Sequence, residues 1–238
     1  MKALHRILAF IGALSLIAVL LITAAEGAIY LNFNYYQKEY EKYEVLEDLD
    51  MEMEDVMYVT REMMGYLHGK RDDLVVTTTV DGQEQEFFNE QDKFHMAEVK
   101  DIFGIAILIR WISLGVFAVV MSALIFMKAA WMKLVSKWYM SLTGALALAT
   151  GILAYLMTRN FNKYFVIFHE IFFDNDLWQF NPETDLMIRM LPEGLFADFA
   201  ARIGIFAGAA AAVFFIVSFI LYKVAKRKEE DVNLYNIS

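Results

Sequence analysis

The chain has 238 residues, of which 58% are hydrophobic, and it carries a formal net charge of −9. Such a composition, arranged in long uncharged runs, is typical of a membrane protein with several spans rather than of a soluble domain. The negative charge argues against a nucleic-acid-binding protein. Because the sequence contains no cysteine, disulfides and thiolate sites are excluded, and histidine, carboxylate, serine and tyrosine side chains must carry any chemistry.

Four apolar runs are long enough to cross a bilayer, which takes about 20 residues. They predict transmembrane helices over residues 1–31, 102–127, 138–158 and 199–222. The first run follows a short basic segment, as in a signal peptide, but its length favours a retained helix. The remaining segments are the loops 32–101 and 159–198, a connection at 128–137 and a tail at 223–238.

Lysine and arginine cluster at the amino end, in the 128–137 connection and in the tail. Because loops rich in these residues stay in the cytoplasm, both termini are expected inside the cell. The two longer loops are rich in acidic residues and are expected on the extracytoplasmic side of the cell membrane.

The first extracytoplasmic loop has the sequence pattern of a small folded unit. Residues 35–67 show a helical period, which predicts a helix that continues outward from the first span. Residues 74–88 read as two short strands around Asp81-Gly82, a pair that accepts the positive φ of a tight hairpin turn. Residues 89–101 predict a helix, capped by Asn89, that leads into the second span. The predicted fold is therefore an all-α core of four transmembrane helices with a small extracytoplasmic α+β cap that contains a β-hairpin.

Two histidines are the main candidates for chemistry. His95 lies just before the second span, and His169 lies just after the third, within a segment dense in aromatic and acidic residues. Both should project to the same side of the membrane at a similar depth. They predict a joint acid–base site, although unrelated histidines at a membrane interface are the simpler alternative.

Further polar and aromatic residues accompany this pair. The candidates for orienting the histidines or binding substrate are Glu98, Glu170, Asp174, Asp176 and Trp178. Inside the second span Arg110 is costly unless it is paired, so it either reaches outward to the interface or pairs with Glu26 of the first span and forms the polar floor of a cavity.

Two other classes of site fit the sequence less well. His169-Glu170 is followed by Phe173 where a zinc-binding HExxH helix needs its second histidine, and no Gly-x-Ser-x-Gly elbow is present. A metal bound by His95, His169 and carboxylates is the remaining alternative. We expect no metal and no other cofactor.

Two segments carry a family resemblance. They are HMAEVK at residues 95–100 and FHEIFF at 168–173, the second followed by Asp176, Trp178, Asn181-Pro182 and MLPE at 190–193. With the four-span layout, they resemble the lipoprotein intramolecular transacylase family of bacterial membrane enzymes. At position 98 the family pattern leads us to expect Asp, and Glu is a like-charged change.

The resemblance implies a function and a location. Members move the sn-2 acyl chain of a diacylglyceryl-cysteine lipoprotein onto its own α-amine, which leaves a lyso-form lipoprotein. His95 and His169 would be the catalytic pair, on the extracytoplasmic face of the bacterial plasma membrane. Diacylated lipoproteins and membrane lipid would be the partners, whereas the sequence does not indicate the oligomeric state.

The chemistry of the residues agrees with such a reaction. A neutral imidazole can take a proton from an α-amine and return it to a departing oxygen. We expect His169 to act as this base and His95 to donate a hydrogen bond to the oxyanion. Two alternatives remain: a non-catalytic membrane protein that binds lipid or lipoprotein, and a membrane lipase or metal-dependent hydrolase that uses water at the same site.

Overall fold

The computed structural model describes residues 2–235, so Met1 and residues 236–238 of the predicted tail lie outside the described residues. The elements are α1 (Lys2–Tyr30), α2 (Asn34–Lys42), α3 (Val45–Leu49), α4 (Met53–Leu67), β1 (Thr77–Val80), β2 (Gln83–Glu86), α5 (Glu90–Phe126), α6 (Trp131–Arg159), α7 (Phe161–Phe172), α8 (Leu186–Met190) and α9 (Glu193–Tyr235).

Four of these helices, α1, α5, α6 and α9, are long and apolar enough to cross a membrane. The prediction of a four-span helical core is therefore confirmed. α5 has 37 residues, well beyond the roughly 20 that a span needs. Its first turns precede the apolar run that begins at Ile102, and the residues of those turns are free to serve a site outside the lipid.

The chain folds as two compact units. The first, called here the spanning unit, contains the described residues up to Ala28, Ile107–Tyr155 and the described residues from Ile203 onward. The second, called the loop unit, contains Ile29–Ala106 and Leu156–Arg202.

Small residues bring the helices of the spanning unit close together. Gly12 of α1 lies against Val120 of α5, where an added Cβ would come within 3.1 Å of the valine Cγ1. Tyr139 of α6 is buried and donates a hydrogen bond to the Ala211 carbonyl of α9 at 3.3 Å. Close approach at small residues is how membrane helices gain packing energy without a hydrophobic driving force.

The loop unit has a hydrophobic core of its own. Its largest fully buried side chains come from α2, α3, α4, the segment just after β2, α8 and the start of α9, and they are Tyr40, Leu49, Met63, Phe87, Phe88, Met190 and Leu195. The hairpin pairs Val80 with Gln83 across a turn in which Asp81 and Gly82 have φ of 51° and 66°. The predicted hairpin is thus confirmed, and Val80 packs into this core.

The helix predicted over residues 35–67 is wrong in one respect, because it is not continuous. α1 ends at Tyr30, and α2, α3 and α4 are separated by Glu44 and Asp50, both left-handed with φ of 55° and 51°. A left-handed residue ends a helix and redirects the chain. The three short helices each remain amphipathic, so the periodic sequence pattern survives the breaks and conceals them.

Candidate functional site

Two histidines from distant parts of the chain meet in the loop unit. His95 lies in the second turn of α5, and His169 lies in the last turn of α7. Their ring centres are 5.9 Å apart, and both residues are buried. The sequence placed the two at a similar depth, and the structure adds that they are neighbours.

The start of α5 is held by reciprocal hydrogen bonds, which set the position of His95. The Asn89 Oδ1 accepts from the Asp92 backbone N–H at 2.9 Å, and Asp92 Oδ2 accepts from the Asn89 N–H at 3.0 Å. This confirms Asn89 as the predicted cap and forms a capping-box arrangement. The Asn89 amide also donates to Asp185 at 2.7 Å, which ties α5 to the second loop.

An aromatic cage surrounds the two imidazoles. It consists of Phe165, Phe173, Trp178 and Phe180. His169 stacks on Trp178 with ring centres 4.8 Å apart, and Phe173 contacts both histidines, at 4.8 Å from His95 and 5.4 Å from His169. Such a cage removes water from the imidazoles on several sides.

The cage determines the charge state of the histidines. Burial and, to a smaller extent, the neighbouring His169 together lower the pKa of His95 to about 4. Burial also lowers the pKa of His169, although its hydrogen bond to the Phe165 carbonyl partly opposes this shift. Desolvation disfavours the charged form of an imidazole, so both rings are neutral at neutral pH.

Hydrogen bonds distinguish the nitrogens of the two rings. His169 Nδ1 is 2.8 Å from the backbone carbonyl of Phe165. A carbonyl only accepts, so Nδ1 must carry the proton, and Nε2 of the neutral ring presents a lone pair. In His95, by contrast, Nδ1 is buried without a hydrogen-bond partner.

The partner of His169 differs from the expected one. Glu170, Asp174 and Asp176 were candidates for orienting the histidines, which a carboxylate does by accepting a hydrogen bond from the ring. All three carboxylates are exposed, and a carbonyl four residues earlier on the same helix accepts instead. The reason is helical geometry, since the side chain of residue i lies above the turn that contains residue i−4.

Glu98 connects the histidine helix to the second loop. It lies one turn after His95, and its Oε1 accepts from Asn175 Nδ2 at 2.7 Å, whereas its Oε2 is buried without a partner. Gln91, one turn before His95, donates to the carbonyls of Leu177 and Gln179. Sequence analysis missed Asn175 and Gln91. Only the position of Asn175 within an acidic and aromatic segment pointed to it.

Two alternatives were predicted for Arg110, and the structure shows the pairing with Glu26. The Arg110 guanidinium donates to Glu26 within the spanning unit, and it therefore does not reach outward alone. An ion pair of this kind offsets the cost of placing a charge within a span.

A cavity of about 650 Å³ lies in the loop unit beside the aromatic cage, and Phe165 and Phe180 form part of its wall. Among the side chains that the structure describes, those of residues 2–231, no group of three histidine or carboxylate side chains converges as a metal site would require.

Most of the chain matches the sequence model of a known protein family. Residues 10–196 match the sequence model of a family described as lipoprotein intramolecular transacylase Lit. A search of curated protein sequences finds no match.

Solved structures give a consistent result. The chain is similar to an in meso structure of the membrane integral lipoprotein intramolecular transacylase Lit from Bacillus cereus, with 22% sequence identity and a TM-score of 0.72. The similarity covers 97% of this chain and 99% of that chain. Two variants of that protein, each with one histidine replaced, have 21% identity and a TM-score of 0.70. The similarity covers 97% of this chain for the first variant and 96% for the second, and it covers 96% of each variant chain. At this level of identity the likeness is one of fold.

Proposed function

We propose that this chain, which belongs to the lipoprotein intramolecular transacylase Lit family, moves the sn-2 acyl chain of a diacylglyceryl-cysteine lipoprotein onto the α-amine of the same cysteine. Family membership identifies a membrane enzyme that transfers an acyl group. The acyl position and the roles of the histidines are the proposal. The observation that carries it is the pair of buried, neutral imidazoles whose ring centres are 5.9 Å apart.

His169 is the general base in this proposal. An α-amine has an unperturbed pKa of about 8 and is mostly protonated at neutral pH, so it must lose a proton before it attacks. Since His169 Nδ1–H is directed at the Phe165 carbonyl, Nε2 is the nitrogen that accepts this proton. The same hydrogen bond stabilises the protonated ring, as the aspartate does in a serine hydrolase triad.

His95 is the hydrogen-bond donor to the oxyanion. With a pKa of about 4 it is a poor base at neutral pH, but a neutral imidazole still carries one N–H. Its Nδ1 is buried without an acceptor, and burying an N–H without a partner is costly. The N–H therefore belongs on Nε2, where it can stabilise the tetrahedral intermediate by about 3–4 kcal/mol.

Acyl transfer proceeds by attack of the amine and collapse of the intermediate. The amine nitrogen attacks the sn-2 carbonyl carbon, a C–N bond forms, and the carbonyl electrons move to the oxygen facing His95. Collapse of this intermediate breaks the bond to the glycerol oxygen. Of the two protons that the ammonium loses, one leaves to solvent and the other passes through His169 Nε2 to the glycerol oxygen. The products are an amide and a free sn-2 hydroxyl.

One property of the substrate and one of the loop unit favour transfer over hydrolysis. The donor ester and the acceptor amine belong to one molecule, so proximity replaces a covalent intermediate. The aromatic cage also excludes water from the imidazoles, which lowers the chance that water competes as the nucleophile.

Other residues have supporting roles in this proposal. Glu98, fixed by Asn175 at 2.7 Å, orients α5 and the loop around the site, and Trp178 positions the His169 ring by stacking on it. The exposed carboxylates Glu170, Asp174 and Asp176 would attract the cationic amine rather than orient the ring. The Arg110–Glu26 pair would form the polar floor of a cavity within the spanning unit.

The same proposal includes a location. Both termini would be cytoplasmic, because the basic segments lie at the ends and in the 128–137 connection. The histidines would then act at the extracytoplasmic face of the bacterial plasma membrane, on diacylated lipoproteins embedded in the outer leaflet.

The test uses a synthetic diacylated lipopeptide with an isotope-labelled sn-2 chain. The purified protein in lipid should move the label onto the α-amine, and mass spectrometry of the peptide should show an amide and a lyso-glyceryl group. Label released as free fatty acid would favour the hydrolase. Label retained in the ester would contradict the proposed function.

A further inference from the structure

We propose that the cavity beside the aromatic cage, called here the side cavity, binds the peptide segment that follows the lipid-bearing cysteine of the substrate. This inference rests on the proposed function. The volume of the side cavity, about 650 Å³, falls within the roughly 300–1,000 Å³ that is usual for ligand sites. Its wall comes from α3, α7, α8, the loop before α8 and the region around the start of α9, all within the loop unit.

Two aromatic side chains line both the side cavity and the histidine site. Phe165 lines the cavity, and its ring centre is 4.2 Å from that of His169. Phe180 also lines the cavity, and its ring centre is 5.4 Å from that of His95. A single layer of aromatic rings therefore separates the cavity from the reacting groups. Because one extended residue spans about 3.3–3.6 Å, the first few residues after the cysteine would reach it.

The polar lining of the side cavity suits a peptide better than an acyl chain. Arg189 Nε donates to Asp48 Oδ2 at 3.0 Å, and Glu193 and Asn162 also line the cavity. An acyl chain would take water from these groups without replacing its hydrogen bonds, which is costly. A peptide supplies backbone N–H and C=O groups, and it leaves room for bridging water.

The lipid part of the substrate has a different surface available. On α7, Asn162, Phe165 and His169 share one face, at spacings of three and four residues. Ile171 projects from the opposite side of the same helix and is 70% exposed, and Phe168 beside it is exposed as well. α7 begins two residues after the membrane-spanning α6 ends, so this apolar face suits lipid at the membrane boundary. The two faces of α7 thus separate peptide from lipid.

One wall of the side cavity is held rigidly. The Tyr43 hydroxyl donates to Asp198 Oδ2 at 2.6 Å, and the Tyr43 ring lies so close to Gly194 that a Cβ there would overlap it. A rigid wall lowers the entropic cost of ordering a bound segment.

The experiment compares two diacylated lipopeptides that differ only in the length of an uncharged Gly/Ser tail, one residue or six residues. The quantity measured is the ratio of kcat/KM for the long tail to that for the short tail. The variant Ile188→Trp fills the cavity from α8. The matched control Ile152→Trp makes the same change at an exposed position of α6 that does not line the cavity.

We expect the parent protein to prefer the long tail by about tenfold or more, mainly through KM. Ile188→Trp should bring the ratio close to one, and Ile152→Trp should keep the parental ratio. A parental ratio of one, or an equal loss on both substrates in Ile188→Trp, would overturn the assignment of the side cavity. If the parent transfers acyl groups on neither substrate, the proposed function itself fails.

Discussion

Replacing His169 with asparagine keeps a hydrogen-bonding side chain but removes the group that exchanges protons. General base catalysis contributes about 10²–10⁴-fold, so His169→Asn should lower kcat by that factor. His95→Gln retains an N–H donor and should lose less than His95→Ala, for which the loss of an oxyanion donor costs about 10²–10³-fold.

The pH dependence of kcat distinguishes the roles of His95 and His169 more clearly than the size of the activity loss does. With a pKa of about 4, only about one His95 ring in a thousand is protonated at pH 7. His95 therefore cannot produce a titration near neutral pH. The pKa of His169 is also lowered by burial, from 6.5, so its neutral form predominates at pH 7 and is lost only as the pH falls below about 6.5.

The expected dependence of kcat on pH follows from the lowered pKa values of His95 and His169. For the parent, kcat should fall in acid as His169 becomes protonated. His95→Gln should show a lower plateau with the acid limb at the same pH, whereas His169→Asn should lack this limb. The same lowered pKa values make the folded state less stable in acid, so tryptophan fluorescence must show that each protein is folded at each pH.

The matched control is His68→Asn, which makes the same change at a histidine elsewhere in the loop unit. Its kcat should equal that of the parent. A folded protein with both His95→Ala and His169→Ala that still forms the lyso-product at the parental rate would refute the mechanism. Loss of the acid limb in His95→Gln, together with its retention in His169→Asn, would exchange the roles of the two histidines.

Three other predictions concern topology, metal dependence and packing. Reporter fusions at Glu183 should report the extracytoplasmic side and those after Lys133 the cytoplasm, and an extracytoplasmic signal after Lys133 would contradict the orientation. Exhaustive chelation should leave acyl transfer unchanged, whereas activity that is lost and then restored by zinc would support the metal-dependent hydrolase. Gly194→Ala should destabilise the protein by about 1–3 kcal/mol, because the new Cβ would overlap the Tyr43 ring. The control Gly208→Ala, on the same helix with open space around it, should leave the melting temperature in detergent unchanged or raise it slightly.

The sequence by itself determined the features that depend on local pattern. Hydropathy alone identified the four spans, because a bilayer imposes a minimum length of apolar helix. Asp81-Gly82 identified the hairpin turn, since few other pairs accept two positive φ values. Asn89 identified the start of α5 through its capping chemistry. The pairing of Arg110 with Glu26 was one of two alternatives that followed from the cost of a charge within a span.

The tertiary structure decided what depends on contacts between distant segments. The sequence set His95 and His169 at a similar depth, but their separation of 5.9 Å and their shared aromatic cage arise from the packing of α5 against α7 and the following loop. The fold also leaves Glu170, Asp174 and Asp176 exposed, so the Phe165 carbonyl and not a carboxylate is the partner of His169. Likewise, the bond between Asn175 and Glu98 leaves no local pattern, because side chains far apart in sequence become partners only after the chain has folded.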